Sequence, residues 1–245
     1  MGESILIEQK RRALITGASS GIGKATALEF AKAGIDVALV SRSHDKLSAV
    51  AEAVQHAGVE AKIYPVDLGN VGEVQAKMQA IAQDFGAIDI LVNNAGMAYT
   101  GNLSDTPLAD WQRVIDLNLT GAFQCMMGIL PGMRQRRTGT IINIVSIAGK
   151  QAFPNWGAYC VSKAGLMALS QTLAQEERSH GIRVTALCPG SVNTELWDTD
   201  TVNADFDRSK MLTPEIVAQS ILYAALLPQQ AVIDELTLMP SAGVL

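Results

Sequence analysis

The chain has 245 residues, of which 48% are hydrophobic and 18% charged, and its formal net charge is −5. A chain this long and apolar can bury a large core within one α/β unit. The acidic balance argues against nucleic acid or an anionic membrane as partner, because both demand a basic face; only local clusters such as Arg134, Arg136 and Arg137 run the other way.

Residues 1–12 lack a continuous apolar stretch, so no secretory leader is expected, and Leu6 spoils an acylation signal after Gly2. Residues 12–16 (RALIT) read as a strand and residues 23–33 as a helix. A second strand is predicted at 37–40, followed by a helix over 43–56 that Ser43 opens as a cap. Further strands are predicted at 62–66, 88–92, 140–145 and 182–187, with helices at 71–85, 107–135 and 158–179. These strands are β-branched and continuously apolar, as strands are when helices cover both faces of a parallel sheet. The alternation predicts an α/β, doubly wound parallel sheet of the Rossmann type, with about seven strands and helices on both faces. No linker, low-complexity tract or repeat interrupts it, so residues 1–245 read as a single domain.

No apolar run reaches about 18 residues, so no membrane-spanning helix is expected. Cys125, Cys160 and Cys188 show no CxxC spacing and cannot pair fully, which predicts reduced thiols and a cytoplasmic protein. His44, His56 and His180 lack ligand spacing, so no metal is expected. Residues 191–212 break the rhythm: they are polar and irregular, with scattered apolar side chains. A stretch of that kind inside a compact domain reads as a functional lid.

Strand one runs straight into Thr16-Gly17-Ala18-Ser19-Ser20-Gly21-Ile22-Gly23 and then a helix. Small residues let the backbone approach a pyrophosphate, and the helix N-terminus supplies free N–H groups and partial positive charge. The competing reading is a turn that only tightens strand–helix packing. An NAD-preferring fold places an acid at the end of strand two, to bond the ribose 2′-OH. Here that strand ends Val40-Ser41-Arg42, while Asp36 stands at its opposite end. Arg42 can pair with a 2′-phosphate through its rigid fork, and Ser41 offers no repulsion. This predicts NADPH over NADH, against the plainer reading of Arg42 as a solvated surface residue.

Tyr159 and Lys163 lie four residues apart near the start of a predicted helix, on one face and a turn apart. A neighbouring ammonium stabilises a phenolate and lowers its pKa from about 10. Asn93-Asn94-Ala95-Gly96 follows the fourth strand, Asn118 lies in Asp116-Leu117-Asn118-Leu119, Ser146 ends the fifth strand and Pro189-Gly190 the sixth. Motifs at successive strand ends converge at the carboxyl edge of such a sheet, where these folds bind ligands.

In this ordered set, TGxxxGIG, NNAG, Asn, Ser and YxxxK, the chain resembles the short-chain dehydrogenase/reductase family from about Arg12 to its end. The resemblance implies a tetrad of Asn118, Ser146, Tyr159 and Lys163. Tyr159 would be the general acid in reduction and the base in oxidation, and Ser146 would bond the carbonyl oxygen. Lys163 would bond the nicotinamide ribose, and Asn118 would hold a water linking Lys163 to solvent. Gly17, Ser19, Ser20, Gly21 and Ile22 would wrap the phosphates and adenosine ribose of NADPH/NADP+. Ser41 and Arg42 would meet the 2′-phosphate, with Asp67 and Leu68 at the adenine. Asn94, Ala95 and Gly96 would line the adenosine side, and Pro189, Gly190, Val192 and Thr194 the carboxamide and pyrophosphate; Tyr159 and Lys163 also count as cofactor contacts.

Met97, Tyr99, Phe153, Trp156, Leu196, Trp197, Phe206 and Met211 are the candidate substrate liners, which points to a moderately apolar ketone or secondary alcohol as the small-molecule partner. The expected activity is therefore that of an NADPH-dependent carbonyl reductase or alcohol dehydrogenase. Two alternatives stand beside it. The 3-oxoacyl-carrier-protein reductases of fatty-acid synthesis share the motifs, but they commonly end in a Thr-Gly-Gln strand and a Gly-Gly turn that this chain lacks. Of their docking arginines only Arg137 is matched, and His180 takes the second place. A non-catalytic NADPH-binding regulator is the other; such proteins usually lose the tyrosine or lysine kept here. The family mostly forms dimers or tetramers through the helices holding Asn118 and Tyr159, which implies a homotetramer.

Overall fold

The computed structural model describes residues 10–204 and 206–243. The readings of a missing leader and of Leu6 therefore lie outside the described residues. The elements in chain order are β1 (Arg12–Thr16), α1 (Gly21–Lys32), β2 (Asp36–Ser41), α2 (His44–Gln55), β3 (Ala61–Pro65), α3 (Val71–Phe85) and β4 (Ile90–Asn93). Then come α4 (Leu108–Ile115), α5 (Gly121–Arg136), β5 (Gly139–Ile144), α6 (Gly157–Glu177), β6 (Ile182–Pro189), α7 (Pro214–Leu226) and β7 (Glu235–Leu238). The seven strands form one parallel sheet in the order β3-β2-β1-β4-β5-β6-β7.

Successive residues of a strand face opposite sides, and here both sides are apolar. Leu14, Ala38, Leu91, Ile141 and Val184 pack with Met78 of α3, Met126 of α5 and Leu173 of α6. Ile15, Leu39, Val92 and Ile142 face the other way, against Phe30 of α1, Val54 of α2 and Ile221 of α7. The strands are unbroken apolar runs because a helix layer covers each face. β1 sits between β2 and β4, so the winding reverses there and the crevice opens at the carboxyl ends of these strands.

Three local features depart from the expected elements. The helix expected over 107–135 contains a π turn at Asp116–Thr120 between α4 and α5. A single widened turn leaves apolar periodicity almost unchanged, yet such turns gather at functional sites, and this one carries Asn118. Helix α7 was not anticipated. Thr213 and Pro214 open it as helix-start residues, but its run Ile216-Val217-Ala218-Gln219-Ser220-Ile221-Leu222 has no clean polar face to mark a helical period. Strand β7 completes the sheet where no strand was named, with alternately exposed residues.

Between residues 108 and 136 the chain is helical throughout, with an 18-residue window of mean hydropathy 1.2 that is half buried inside the protein. Its apolar residues serve the core. A side chain at Gly128 would stand 2.5 Å from Met78 Cβ, so α5 and α3 meet at a distance only glycine permits. The three arginines at the end of this stretch are all engaged: Arg134 with the buried Glu177, Arg136 with Ile88 O at 2.6 Å, and Arg137 with Ser179 O at 2.8 Å.

Candidate active site

The turn from β1 into α1 is shaped by contacts that exclude side chains. Gly17 has φ +64°, and a Cβ there would lie 2.8 Å from Asn94 Nδ2. A Cβ at Gly23 would meet Gly17 O, so the helix start and the turn touch backbone to backbone. Thr16 Oγ1 accepts from the backbone N–H groups of Asn94 and Ala95, each at 3.0 Å. Asn94 Nδ2 returns hydrogen bonds to Thr16 O at 3.1 Å and Gly17 O at 3.2 Å. Asn94 therefore buttresses the glycine turn from behind, as well as lining the cleft.

At the end of β2, Arg42 is exposed and has no ion-pair partner among the described residues. Ser43 caps α2 by accepting from Lys46 N at 3.4 Å, as expected. Asp36 is held at the opposite end of the strand by Lys10 at 3.0 Å and by Glu60 N–H at 2.8 Å. Asp67 Oδ1 accepts from Gly69 N at 2.9 Å, forming an Asx turn ahead of α3.

From the other half of the sheet come Ser146 after β5, and Tyr159 and Lys163 on the first turns of α6. Lys163 is 4% exposed, donates to Ile144 O at 2.8 Å, and its Nζ lies 5.7 Å from the Tyr159 ring centroid. Asn118 is fully buried: its Oδ1 accepts from Met97 N at 2.8 Å, and its Nδ2 donates to Met97 O at 2.8 Å and to Ser162 Oγ at 3.0 Å. Ser162 Oγ donates in turn to Tyr159 O at 2.7 Å, which ties the π turn to the helix of the YxxxK pair.

Gly17, Arg42, Asn94, Ser146, Tyr159 and Lys163 border one continuous cleft of about 540 Å³. The buried hydroxyls of Ser41 and Ser191, both from lining residues, have no hydrogen-bond partner within the described chain. Unsatisfied buried hydroxyls beside a glycine turn at a helix N-terminus suit a phosphorylated ligand. The residues present fit a dinucleotide.

The pattern of the short chain dehydrogenase family matches residues 11–204. This chain belongs to the short-chain dehydrogenase family. It is accordingly an oxidoreductase of CH–OH and C=O groups. A 3-oxoacyl-[acyl-carrier-protein] reductase of Synechocystis is 37% identical over 94% of this chain and 95% of that protein. Among solved structures, an alcohol dehydrogenase of the archaeon Thermococcus sibiricus, complexed with 5-hydroxy-NADP, superposes with TM-score 0.87 at 27% identity, over 95% of this chain and 97% of that one. A metagenomic short-chain oxidoreductase in complex with NADP gives TM-score 0.83 at 32% identity, over 94% and 97%.

In this short-chain dehydrogenase every expected site residue lines the cleft except Asn118, which stands one layer behind it. Of the expected substrate liners, Met97, Phe153, Trp156, Leu196, Trp197 and Phe206 border the cleft. Tyr99 does not: it lies against Gly101, where a Cβ would stand 3.1 Å from its ring. Met211 is 8% exposed and packs inside the protein. Sequence reasoning missed Lys46, which borders the cleft four residues after Arg42 on the first turn of α2; the cap at Ser43 was the available signal. It also missed Thr16 and Ser162, whose hydroxyls join backbone groups from separate elements.

Residues 191–204 and 206–212 contain short turns at Glu195–Asp198 and Arg208–Lys210. Arg208 bonds Asn193 Oδ1 at 2.8 Å, Thr194 O at 2.9 Å and Asp198 Oδ1 at 2.6 Å. Thr100 N donates to Thr201 O at 2.9 Å, Thr201 Oγ1 to Ala98 O at 2.7 Å, and Asn203 N to Thr100 Oγ1 at 2.7 Å. The segment is thereby sewn to the loop after β4.

Burial pushes the Tyr159 phenol up to about 12, with the Ser146 hydroxyl pulling the other way. In the chain without a bound dinucleotide, burial, not Lys163, sets the phenol, and burial pushes the Lys163 ammonium down as well, to about 8. Between about pH 8 and 10.5 the unfolded chain holds the Lys163 proton that the folded chain releases, so stability rises with pH across that window. Charging Lys163 in the fold costs up to about 3 kcal/mol. Lys163→Met, purified free of nucleotide, is expected to melt several degrees higher than the parent chain at pH 7, with the gain fading above about pH 10.5. Thermal denaturation across pH checks this; a lower melting temperature at pH 7 would refute the buried-charge account.

Proposed function

We propose that the chain is an NADPH-dependent carbonyl reductase and alcohol dehydrogenase acting on moderately apolar ketones and secondary alcohols, with Tyr159 as general acid and base. The supporting observation is that Ser146, Tyr159 and Lys163 border one cleft with the glycine turn and Arg42. When bound, NADPH would supply the hydride.

The protein's own groups bind, orient and move the proton. A phenol held near 12 keeps its proton at neutral pH, ready to donate it to a carbonyl oxygen during reduction. Ser146 donates a hydrogen bond to the same oxygen and steadies the alkoxide as it forms. Lys163 spends one N–H on Ile144 O, leaving two for the ribose hydroxyls. Asn118 Oδ1 keeps one lone pair for the relay water. Gly96 leaves room for that water, since a Cβ there would lie 3.3 Å from Asn118 Oδ1 and 3.6 Å from Lys163 Nζ.

Gly17, Ser19, Ser20, Gly21 and Ile22 hold the phosphates, with Asn94, Ala95 and Gly96 on the adenosine side and Asp67 and Leu68 at the adenine. Ser41, Arg42 and Lys46 hold the 2′-phosphate, and Pro189, Gly190, Val192 and Thr194 the carboxamide and pyrophosphate. Residues 191–212 act as the lid of a single catalytic domain. The NADP ligands named for the two solved relatives support the cofactor choice.

The 37% identity to a 3-oxoacyl-carrier-protein reductase favours a second reading, in which a carrier presents the substrate. Against it, Arg137 already directs one N–H of its guanidinium to Ser179 O at 2.8 Å, and His180 Nδ1 sits 3.4 Å from Glu177.

The deciding experiment follows NADPH and NADH oxidation with free ketones and with acetoacetyl carrier protein. Free ketones with NADPH are expected to give the highest kcat/KM. Tyr159→Phe is expected to bind NADPH with little change and to lose several orders of magnitude in kcat; full activity in that variant would overturn the assignment. Arg42→Ala is expected to raise KM for NADPH about tenfold or more and to leave NADH little affected, a loss of roughly one charged contact. Equal losses with both cofactors would remove the 2′-phosphate reading. We further propose a homotetramer assembled through α5 and α6, on which Phe123 and Val161 are 37% and 47% exposed. Sedimentation velocity is expected to show a tetramer, and a monomer alone would reject it.

A further inference from the structure

The substrate half of the cleft has a wall of aromatic rings set at steep angles. Trp156 meets Tyr159 edge-on at 5.7 Å between centroids with planes 66° apart. Trp197 meets Trp156 at 5.8 Å and 69°, and Phe206 meets Trp197 at 5.3 Å and 80°. All four rings are partly exposed and all four border the cleft. Of the cleft's charged residues, Arg42, Lys46 and Asp67 lie just beyond the carboxyl ends of β2 and β3, Lys163 lies beside Tyr159 at the catalytic end of the wall, and Glu195 is exposed.

Two rings nearly perpendicular to each other leave a corner between them. A flat aromatic group in that corner can point its edge at one indole face while lying offset and nearly parallel to the other. Such pairs exceed simple area burial, because the ring quadrupoles are complementary. A saturated ring of the same size offers no quadrupole and is more hydrophobic, so burial alone would favour it.

The corner is built in advance. Trp197 Nε1 donates to Val192 O at 2.8 Å, which fixes the indole, and Phe206 braces its far side. Arg208 pins the turn that carries Trp197 through Asn193, Thr194 and Asp198. A wall already in place costs little to order when the substrate arrives. The Trp156–Tyr159 separation sets the reach: a carbonyl at the phenol and a ring in the corner lie a few bonds apart.

Resting on the oxidoreductase reading above, we propose that the substrate class is arylalkyl ketones and the matching arylalkyl secondary alcohols, with the Trp156–Trp197 corner as the aryl subsite and Trp197 as its specificity-determining residue. In reduction the carbonyl carbon gains the hydride from NADPH, its oxygen gains the Tyr159 proton, and NADP+ leaves as the oxidised product. The proton on Tyr159 is restored from solvent.

The test uses 4-phenylbutan-2-one and 4-cyclohexylbutan-2-one, whose carbonyls are insulated from the ring and have matching intrinsic reactivity. Two aromatic contacts predict a preference for the phenyl ketone of about tenfold in kcat/KM. The same preference is expected in the affinity measured by calorimetry on the protein saturated with NADP+, where no turnover occurs. Trp197→Leu and Trp156→Leu are each expected to shrink both ratios toward one or invert them. Equal or better use of the cyclohexyl ketone by the parent chain would overturn the proposal, as would a phenyl preference that survives in both variants. Absence of turnover with either ketone would count against the oxidoreductase reading, whereas the calorimetric ratio still decides the subsite.

Discussion

A buried ammonium is the constraint around which this molecule is arranged. Lys163 lies almost wholly out of water and donates to a single backbone carbonyl, Ile144 O. Taking a charge into the interior is expensive unless hydrogen bonds compensate it. The fold supplies one acceptor and leaves the remaining donors beside the cleft. Its depressed affinity for a proton is the physical mark of that arrangement. Everything nearby holds this group in place: the apolar β5 strand that ends in Ile144, the helix α6 that carries the lysine, and the Ser162–Asn118 link that fixes α6 against the π turn.

Much of this was legible in the sequence because the chemistry sits at strand ends. Gly17, Asn94, Ser146 and Pro189 each follow a run of buried residues, so their convergence required only that the runs be parallel strands. The doubly wound sheet and both helix layers were equally plain from alternation of element types. What escaped was whatever depends on exact rotation or on a third element. A π turn shifts the helix by one residue, which no apolar period reports, so the burial of Asn118 behind the cleft was hidden. Helix α7 and strand β7 lie where the pattern is apolar all round or half exposed. Lys46 depended on a helix phase that only the Ser43 cap sets. Tyr99 and Met211 were grouped with the cleft by their segment alone, and the backbone turned both away.

The pKa ordering of the tyrosine and lysine shows the limit of pair reasoning. Four residues of helix place the two groups together, but spacing says nothing of how much water either keeps. Both are pushed toward their neutral forms by burial.

The seam between residues 98–100 and 201–203 ties the loop after β4 to the lid. Its four hydrogen bonds involve Thr100, Thr201, Ala98 and Asn203, and three of them use a threonine hydroxyl. None of these four residues borders the cleft. The fastening of the lid is therefore separate from the surface that meets a ligand, so a change of cleft-lining side chain can alter fit while leaving these stitches in place.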